Sequence, residues 1–295
     1  MVWRGGDRFT RCLASISASQ HHFARVVLSV TSDDASDDMR RAVAFQAQHT
    51  NVEVICTNEE LPTMEHQAFW IDYLTRTGAN SDDWIYWLAY DDEVRVRGID
   101  AITDDEGNWP LQEGTVYFGP WAMRHEQADD LWAGDPGQEL ESWTSFPPNG
   151  PTRLPVLTWI ADQITQPTYM QMSGSVNQFR SFLALRDLRP RKRGPMRIEM
   201  AIAAAPGTTH VEEFAEPVST IYGRSNSDRA TYGSMARKED LHLAVWMARH
   251  AVAHPQQALS TLRAFAGAGI QTVSAVLDRS ALPHEEWRVR GTITP

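Results

Sequence analysis

Three consecutive acids, Asp91-Asp92-Glu93, stand directly after the aromatic and apolar run Trp84-Ile85-Tyr86-Trp87-Leu88-Ala89-Tyr90. At the end of a buried strand, three carboxylates repel one another unless a cation or solvent offsets them. Hard oxygen ligands of this kind suit Mg²⁺ or Mn²⁺, ions that keep several waters and bridge to substrate phosphates. An ion held there neutralises a diphosphate as it departs from a substrate. A solvated turn that caps a helix accounts for acids after a strand as well as a metal site does. A second acidic segment, Ser32-Asp33-Asp34-Ala35-Ser36-Asp37-Asp38, follows the apolar run at residues 26–30. Two acid-loaded strand ends matter because ligands of open α/β sheets bind where strand C-termini open into loops.

The elements that must position these acids can be read from periodicity. Phe9, Cys12, Leu13 and Ile16 fall at i, i+3, i+4 and i+7, the spacing of a helix with one buried face. Residues 26–30 read as a strand buried on both faces, and Met39, Ala42 and Val43 begin the next helix. Val52, Val54 and Cys56 alternate as a second strand, Met64, Ala68, Ile71 and Leu74 mark a third helix, and residues 84–90 form a third strand. This alternation predicts an α/β fold with a mostly parallel sheet covered by helices. From about residue 104 to 175, Gly, Pro and Trp become dense and periodicity fades, apart from the strand-like Thr115-Val116-Tyr117-Phe118. That stretch reads as a loop-rich region beside the sheet, where substrate-specific variation is usual. Helical spacing returns at Val176, Phe179, Leu183 and Arg186, and again at Leu241, Val245, Ala248 and Val252, so the last 60 residues predict a small helical appendage.

Composition removes several classes of function. A net charge of −11 argues against a general nucleic-acid binder, which needs a basic surface to release counterions. Cys12 and Cys56 are the two cysteines, far apart and in apolar patterns, and read as reduced core residues of a cytoplasmic protein. No run approaches 18 apolar residues and the N-terminus has no signal-peptide core, so a transmembrane segment is not expected.

Taken in order, the segments from Phe9 to Glu93 resemble the nucleotide-binding half of family 2-type glycosyltransferases of the GT-A fold. The matching motifs are Cys12-Leu13-Ala14-Ser15-Ile16, then Asp33-Asp34-Ala35-Ser36-Asp37-Asp38, then Asn58, then Ala89-Tyr90-Asp91-Asp92. The resemblance implies a Rossmann-like central sheet flanked by helices. Its nucleotide-sugar half would be residues 1–103, its acceptor and catalytic half residues 104–233, and a helical appendage residues 234–295. It also implies that Asp33 and Asp34 contact the nucleotide, that Thr63 in Leu61-Pro62-Thr63 lies over the base, and that Asp91 and Asp92 serve the metal and the sugar diphosphate. Glu93 is the third candidate ligand for Mn²⁺ or Mg²⁺. Trp3 and Arg4 occupy the position where the family's first strand meets the nucleotide. That strand normally precedes the first helix, and with Met1 so close to Phe9 it is expected either to be cut short or to begin upstream of Met1. Ala89 stands where the family's metal motif has its first Asp.

Farther along, Ser173-Gly174-Ser175 and the stretch from Pro217 to Asn226 resemble the family's acceptor-side segments. The general base of the family maps to Glu199, positioned to take the proton of an attacking acceptor hydroxyl. The partners implied are a nucleoside-diphosphate sugar donor and a saccharide or glycoconjugate acceptor, at the cytoplasmic side, in bacterial polysaccharide or glycoconjugate assembly. Arg186, Arg189, Arg191, Lys192, Arg193 and Arg197 form a basic cluster that reads as a solvated loop, a diphosphate clamp or a peripheral contact with anionic lipid. Trp109, Trp121, Trp132, Trp143 and Trp159 read mainly as packing residues, with acceptor stacking as the alternative, and His125 and His210 as candidate additions to a metal shell. Two other functions share the pattern. One is a sugar-phosphate nucleotidyltransferase, faintly suggested by Arg4-Gly5-Gly6-Asp7-Arg8. The other is a GT-A domain that binds without turnover.

Overall fold

A computed structural model describes residues 6–31, 36–57, 61, 63–125, 140–147, 149–165, 172–187, 198–223 and 289–293. The predicted stripe of Phe9, Cys12, Leu13 and Ile16 is the buried face of α1 (Gly6–Ser19). A 3-10 turn at Gln20–His22 leads into β1 (Val26–Thr31), and Ser36 caps α2 (Asp37–Gln46) by accepting from the Met39 backbone N–H at 3.1 Å. The β2 strand (Val52–Thr57) pairs in parallel with β1, from Val26 opposite Val52 to Thr31 opposite Thr57. The next helix is α3 (Thr63–Arg76), joined to β1 by a buried contact between the Ser29 hydroxyl and His66 Nε2 at 2.6 Å.

The third strand departs from expectation. β3 (Trp84–Trp87) has antiparallel pairing with β9 (Ser175–Gln178) and does not extend the parallel β1–β2 pair among the described residues. A cavity of about 120 Å³ lies between β1 and β3, lined by Phe9 and Ile16 of α1, Val26 and Leu28 of β1, and Tyr86 and Leu88. The strand that the resemblance puts before α1 lies outside the described residues, as do Trp3, Arg4, Asp33 and Asp34.

The acids that follow β3 run into β4 (Glu93–Val94) and α4 (Val96–Ile102). Residues 104–175, expected to be loop-rich, contain β5 (Thr115–Tyr117), β6 (Trp121–His125), β7 (Leu140–Trp143), β8 (Arg153–Pro155) and α5 (Val156–Thr165). These elements are short, and periodicity needs longer runs to register. The helix predicted from Val176 is divided: β9 takes residues up to Gln178 and α6 (Phe179–Asp187) follows. Then come α7 (Ile198–Ala203), β10 (His210–Glu212), β11 (Ser219–Gly223) and β12 (Val289–Ile293).

Two five-stranded mixed sheets result, ordered β3-β9-β5-β10-β8 and β12-β7-β6-β11-β4. β10 is parallel to β5 and β11 to β6, and the remaining pairs in these two sheets are antiparallel. The fold is therefore mixed α/β with partly parallel sheets rather than mostly parallel. Of the expected C-terminal helical appendage, the described part is the strand β12 against β7, and the rest lies outside the described residues. Trp121, Trp143 and Trp159 are buried in the core beside Phe118, Phe146 and Phe182. Trp109 is half-buried, and Trp132 lies outside the described residues. Cys12 is buried, whereas Cys56 is only partly so. Among the described residues no helix is long and apolar enough to cross a membrane.

Candidate functional site around the Asp91-Asp92-Glu93 turn

The acid turn is fastened from three sides. From α1, Cys12 Sγ lies 3.7 Å from the Ala89 carbonyl, the Ser15 hydroxyl accepts from Val94 N–H at 3.0 Å, and Arg11 Nη2 donates to the Asp91 carbonyl at 3.2 Å. From the turn before β9, Ser173 Oγ accepts from Ala89 N–H at 3.1 Å and Gly174 N–H donates to the Trp87 carbonyl at 2.8 Å. Gly174 has φ +78°, and a Cβ there would stand 2.1 Å from Ser219 Oγ, so this close approach requires glycine. The Ser173 carbonyl is itself held by Trp121 Nε1 at 2.7 Å. The third fastening is β11: Asp92 Oδ1 accepts from the Tyr222 backbone N–H at 3.2 Å.

Around this turn the side chains have different tasks. Asp92 is buried at 6% exposure, and Asp91 is half-buried. Glu93 Oε1 forms an ion pair with Arg11 Nε at 2.7 Å and accepts from the Tyr222 hydroxyl at 2.6 Å. Arg11 lies over the Tyr222 ring, its Cζ 3.6 Å from the centroid. Burial, and then the bond to Glu93, pushes the Tyr222 phenol pKa well up, so it stays a donor. Burial likewise pushes the Cys12 thiol well up, which leaves it an inert packing group rather than a thiolate nucleophile.

Two arginines complete the surroundings. Arg124, the cross-strand partner of Tyr222, brings its Cζ to 5.9 Å from the same ring. Arg95 follows β4 and donates its backbone N–H to Val218 at 2.9 Å. Arg95 has its pKa lowered by burial first, then by neighbouring Arg97, against the pull of Glu216, and by Arg124.

A scan against models of known protein families finds no match, and a search of curated proteins finds none either.

The donor chemistry at the turn fits a hard divalent cation. Mg²⁺ can bind through one or two carboxylates with water and phosphate oxygens as its other ligands, and Asp91 and Asp92 are carboxylates of that kind. Asp91, Asp92 and Glu93 do not form a closed three-ligand cage. Among the described residues the one His, Cys, Asp or Glu group with three ligand atoms within 4.8 Å of one another is His21, His22 and Asp100. Its histidines lie in the 3-10 turn after α1 and its Asp100 on α4, and none of the three is among the residues that fasten the acid turn.

The other predicted residues scatter. Thr63 opens α3, and Glu199 is half-buried near the start of α7, which packs on α6. His210 on β10 contacts Thr209 Oγ1 through Nδ1 at 3.0 Å, with its pKa lowered by burial and by Arg153. Of the basic cluster, Arg186 is on α6, and the members from Arg189 to Arg197 lie outside the described residues. Sequence reading did not single out Arg11, Arg95, Arg124 or Tyr222 around the acids. Arg11 immediately precedes the Cys12-Leu13 motif, and Tyr222 falls in the C-terminal stretch already noted, so both carried a signal. Arg95 and Arg124 carried none.

Proposed function

We propose that this chain is a metal-dependent glycosyltransferase of the GT-A fold, moving a sugar from a nucleoside-diphosphate sugar to an acceptor hydroxyl with inversion. The observation that carries the reading is the acid turn, a pair of carboxylates, Asp91 and Asp92, fastened at the end of β3 by α1, by the turn at Ser173-Gly174 and by β11. Asp91 and Asp92 hold Mn²⁺ or Mg²⁺, and Glu93 orders the site through Arg11 and Tyr222. When bound, that ion offsets the negative charge of the diphosphate. Asp33, Asp34, Thr63, Trp3 and Arg4 take the nucleotide, as the family resemblance implies. Glu199 accepts the proton of the acceptor hydroxyl as its oxygen attacks the anomeric carbon, while the nucleoside diphosphate leaves from the opposite side.

Rigid fastening of the turn supports this role, because positioned groups lower a barrier only when their geometry is set in advance. A mixed α/β architecture with acids at a strand end is compatible with the GT-A reading. The test is release of nucleoside diphosphate from a panel of UDP-, GDP- and dTDP-sugars with saccharide acceptors. Wild type is expected to release one nucleoside diphosphate, and Glu199→Gln to slow release by about 10²-fold or more while donor affinity is kept. Release of pyrophosphate instead would identify a nucleotidyltransferase. No release from any donor would leave a binding domain.

A further inference from the structure

The 3-10 turn after α1 carries two consecutive histidines that the acid turn does not use. Phe23 closes this turn by donating its N–H to the Gln20 carbonyl at 3.0 Å. Asn51, just before β2, fastens it twice: its side-chain amide donates to the Phe23 carbonyl at 2.9 Å, and its Oδ1 accepts from Gln20 Nε2. So held, the rings of His21 and His22 stand 3.9 Å apart between centroids. Across from them is Asp100 on α4. That helix is set in place by its own packing. Ile99 is fully buried, and Gly98 lies so close to the chain before β11 that a Cβ there would stand 1.7 Å from the Pro217 carbonyl oxygen.

His22 Nε2 lies 2.9 Å from Asp100 Oδ1; the His22 side chain is 7% exposed and that of Asp100 is 57% exposed. One nitrogen from each histidine and one oxygen of Asp100 all fall within 4.8 Å of one another. Two ligands about 2.1 Å from a common ion and about 90° apart are about 3 Å from each other. The separation of His22 from Asp100 already has the length of such an edge. A structural ion pair would need His22 alone, whereas His21 brings a second nitrogen to the same place.

We propose that His21, His22 and Asp100 bind a transition-metal ion of the Zn²⁺ class. Two imidazoles and a carboxylate suit Zn²⁺, Ni²⁺ or Cu²⁺, whereas Mg²⁺ and Mn²⁺ favour the all-oxygen donors of the acid turn. Water takes the remaining positions around the ion, because His21 and Asp100 face solvent. The ion joins the end of α1, through its 3-10 turn, to α4. Helix α1 supplies the Arg11, Cys12 and Ser15 contacts to the acid turn, and α4 follows directly on β4. The ion therefore braces the two elements on either side of that turn without touching it. Asp100 is 78 residues from His22 in sequence, so the three donors converge only in the folded chain and binding stabilises the fold. This assignment stands apart from the transferase reading, since it concerns a different ion, different ligands and a structural effect.

The experiment is calorimetric titration of ZnCl₂ into the full chain, stripped of metal beforehand and kept in excess Mg²⁺. Wild type takes up about one Zn²⁺ per chain with a Kd on the order of 10⁻⁶ M or tighter. Asp100→Asn, which keeps a hydrogen-bond partner for His22, weakens binding about tenfold or more, and His21→Ala/His22→Ala removes it. Asp91→Asn leaves it unchanged. Melting curves give a second readout: Zn²⁺ raises the midpoint of wild type and of Asp91→Asn but not that of His21→Ala/His22→Ala. Circular dichroism without metal checks that each variant is folded. Asp100 is exposed, so Asp100→Asn remains usable should the double histidine variant not fold. No Zn²⁺ binding by wild type overturns the proposal. So does equal binding by wild type and the folded variants at His21, His22 and Asp100, which marks adventitious uptake by other side chains. Loss of binding in Asp91→Asn alone overturns it as well, because it puts the ion at the acid turn.

Discussion

Lowering the pH from about 7 to about 5 should cost this protein stability through one histidine. His66 is 2% exposed on α3, and its Nε2 meets the hydroxyl of Ser29, itself 4% exposed on β1, at 2.6 Å. Burial lowers its pKa from 6.5 to about 3, so the ring is neutral in the folded state. The unfolded chain therefore takes up a proton near pH 6.5 that the folded chain refuses until about pH 3. Stability from the neutral ring is fully present above 6.5 and is lost as pH falls toward 3. Between about pH 7 and about pH 5 the loss is about 2 kcal/mol, since each pH unit below the unfolded pKa removes about 1.4 kcal/mol. The assay is urea denaturation at both pH values for wild type and His66→Gln, a variant that keeps a polar partner for Ser29 and cannot titrate. Its pH dependence should be shallower than that of wild type by about this amount. Equal slopes for the two proteins would refute the buried, neutral assignment of His66.

Other perturbations probe how the acid turn is held. Tyr222→Phe removes a 2.6 Å hydrogen bond to Glu93 and should cost on the order of 1 kcal/mol in denaturant melts, with Arg11→Met in the same background showing coupling. Gly174→Ala meets both a positive φ and Ser219 Oγ at 2.1 Å, and should cost about 3 kcal/mol. Gly107→Ala has φ +80° but open space, so its cost should stay near about 1 kcal/mol; equal melting shifts for the two would contradict the packing of the Ser173-Gly174 turn.

The sequence made α1, β1, α2, β2 and α3 legible because each is long enough for its apolar period to register. It also located the acid turn, since residues 84–93 carry an aromatic strand and its acids without interruption. The antiparallel pairing of β3 with β9 was not legible, because Trp84 and Gln178 are brought together by tertiary packing that leaves no local signal. The same reason hid β9 itself: Val176 and Phe179 satisfy helical spacing although the first is in a strand and the second opens α6. Arg124 could not be tied to the acids before β6 was known to lie beside β11, some 100 residues later in the chain. Glu93 looked like a third ligand in the sequence, and only the position of Arg11 one α-helical face away reveals its ion pair.

The most direct test of the central claim is calorimetric titration of UDP, GDP and dTDP, each with and without Mn²⁺, into wild type, Asp91→Asn and Asp92→Asn. The account predicts tight binding of one nucleoside diphosphate that needs the metal and falls about tenfold or more in either variant. Binding that is indifferent to both Mn²⁺ and the two carboxylates, or no binding of any of the three nucleotides, would contradict it.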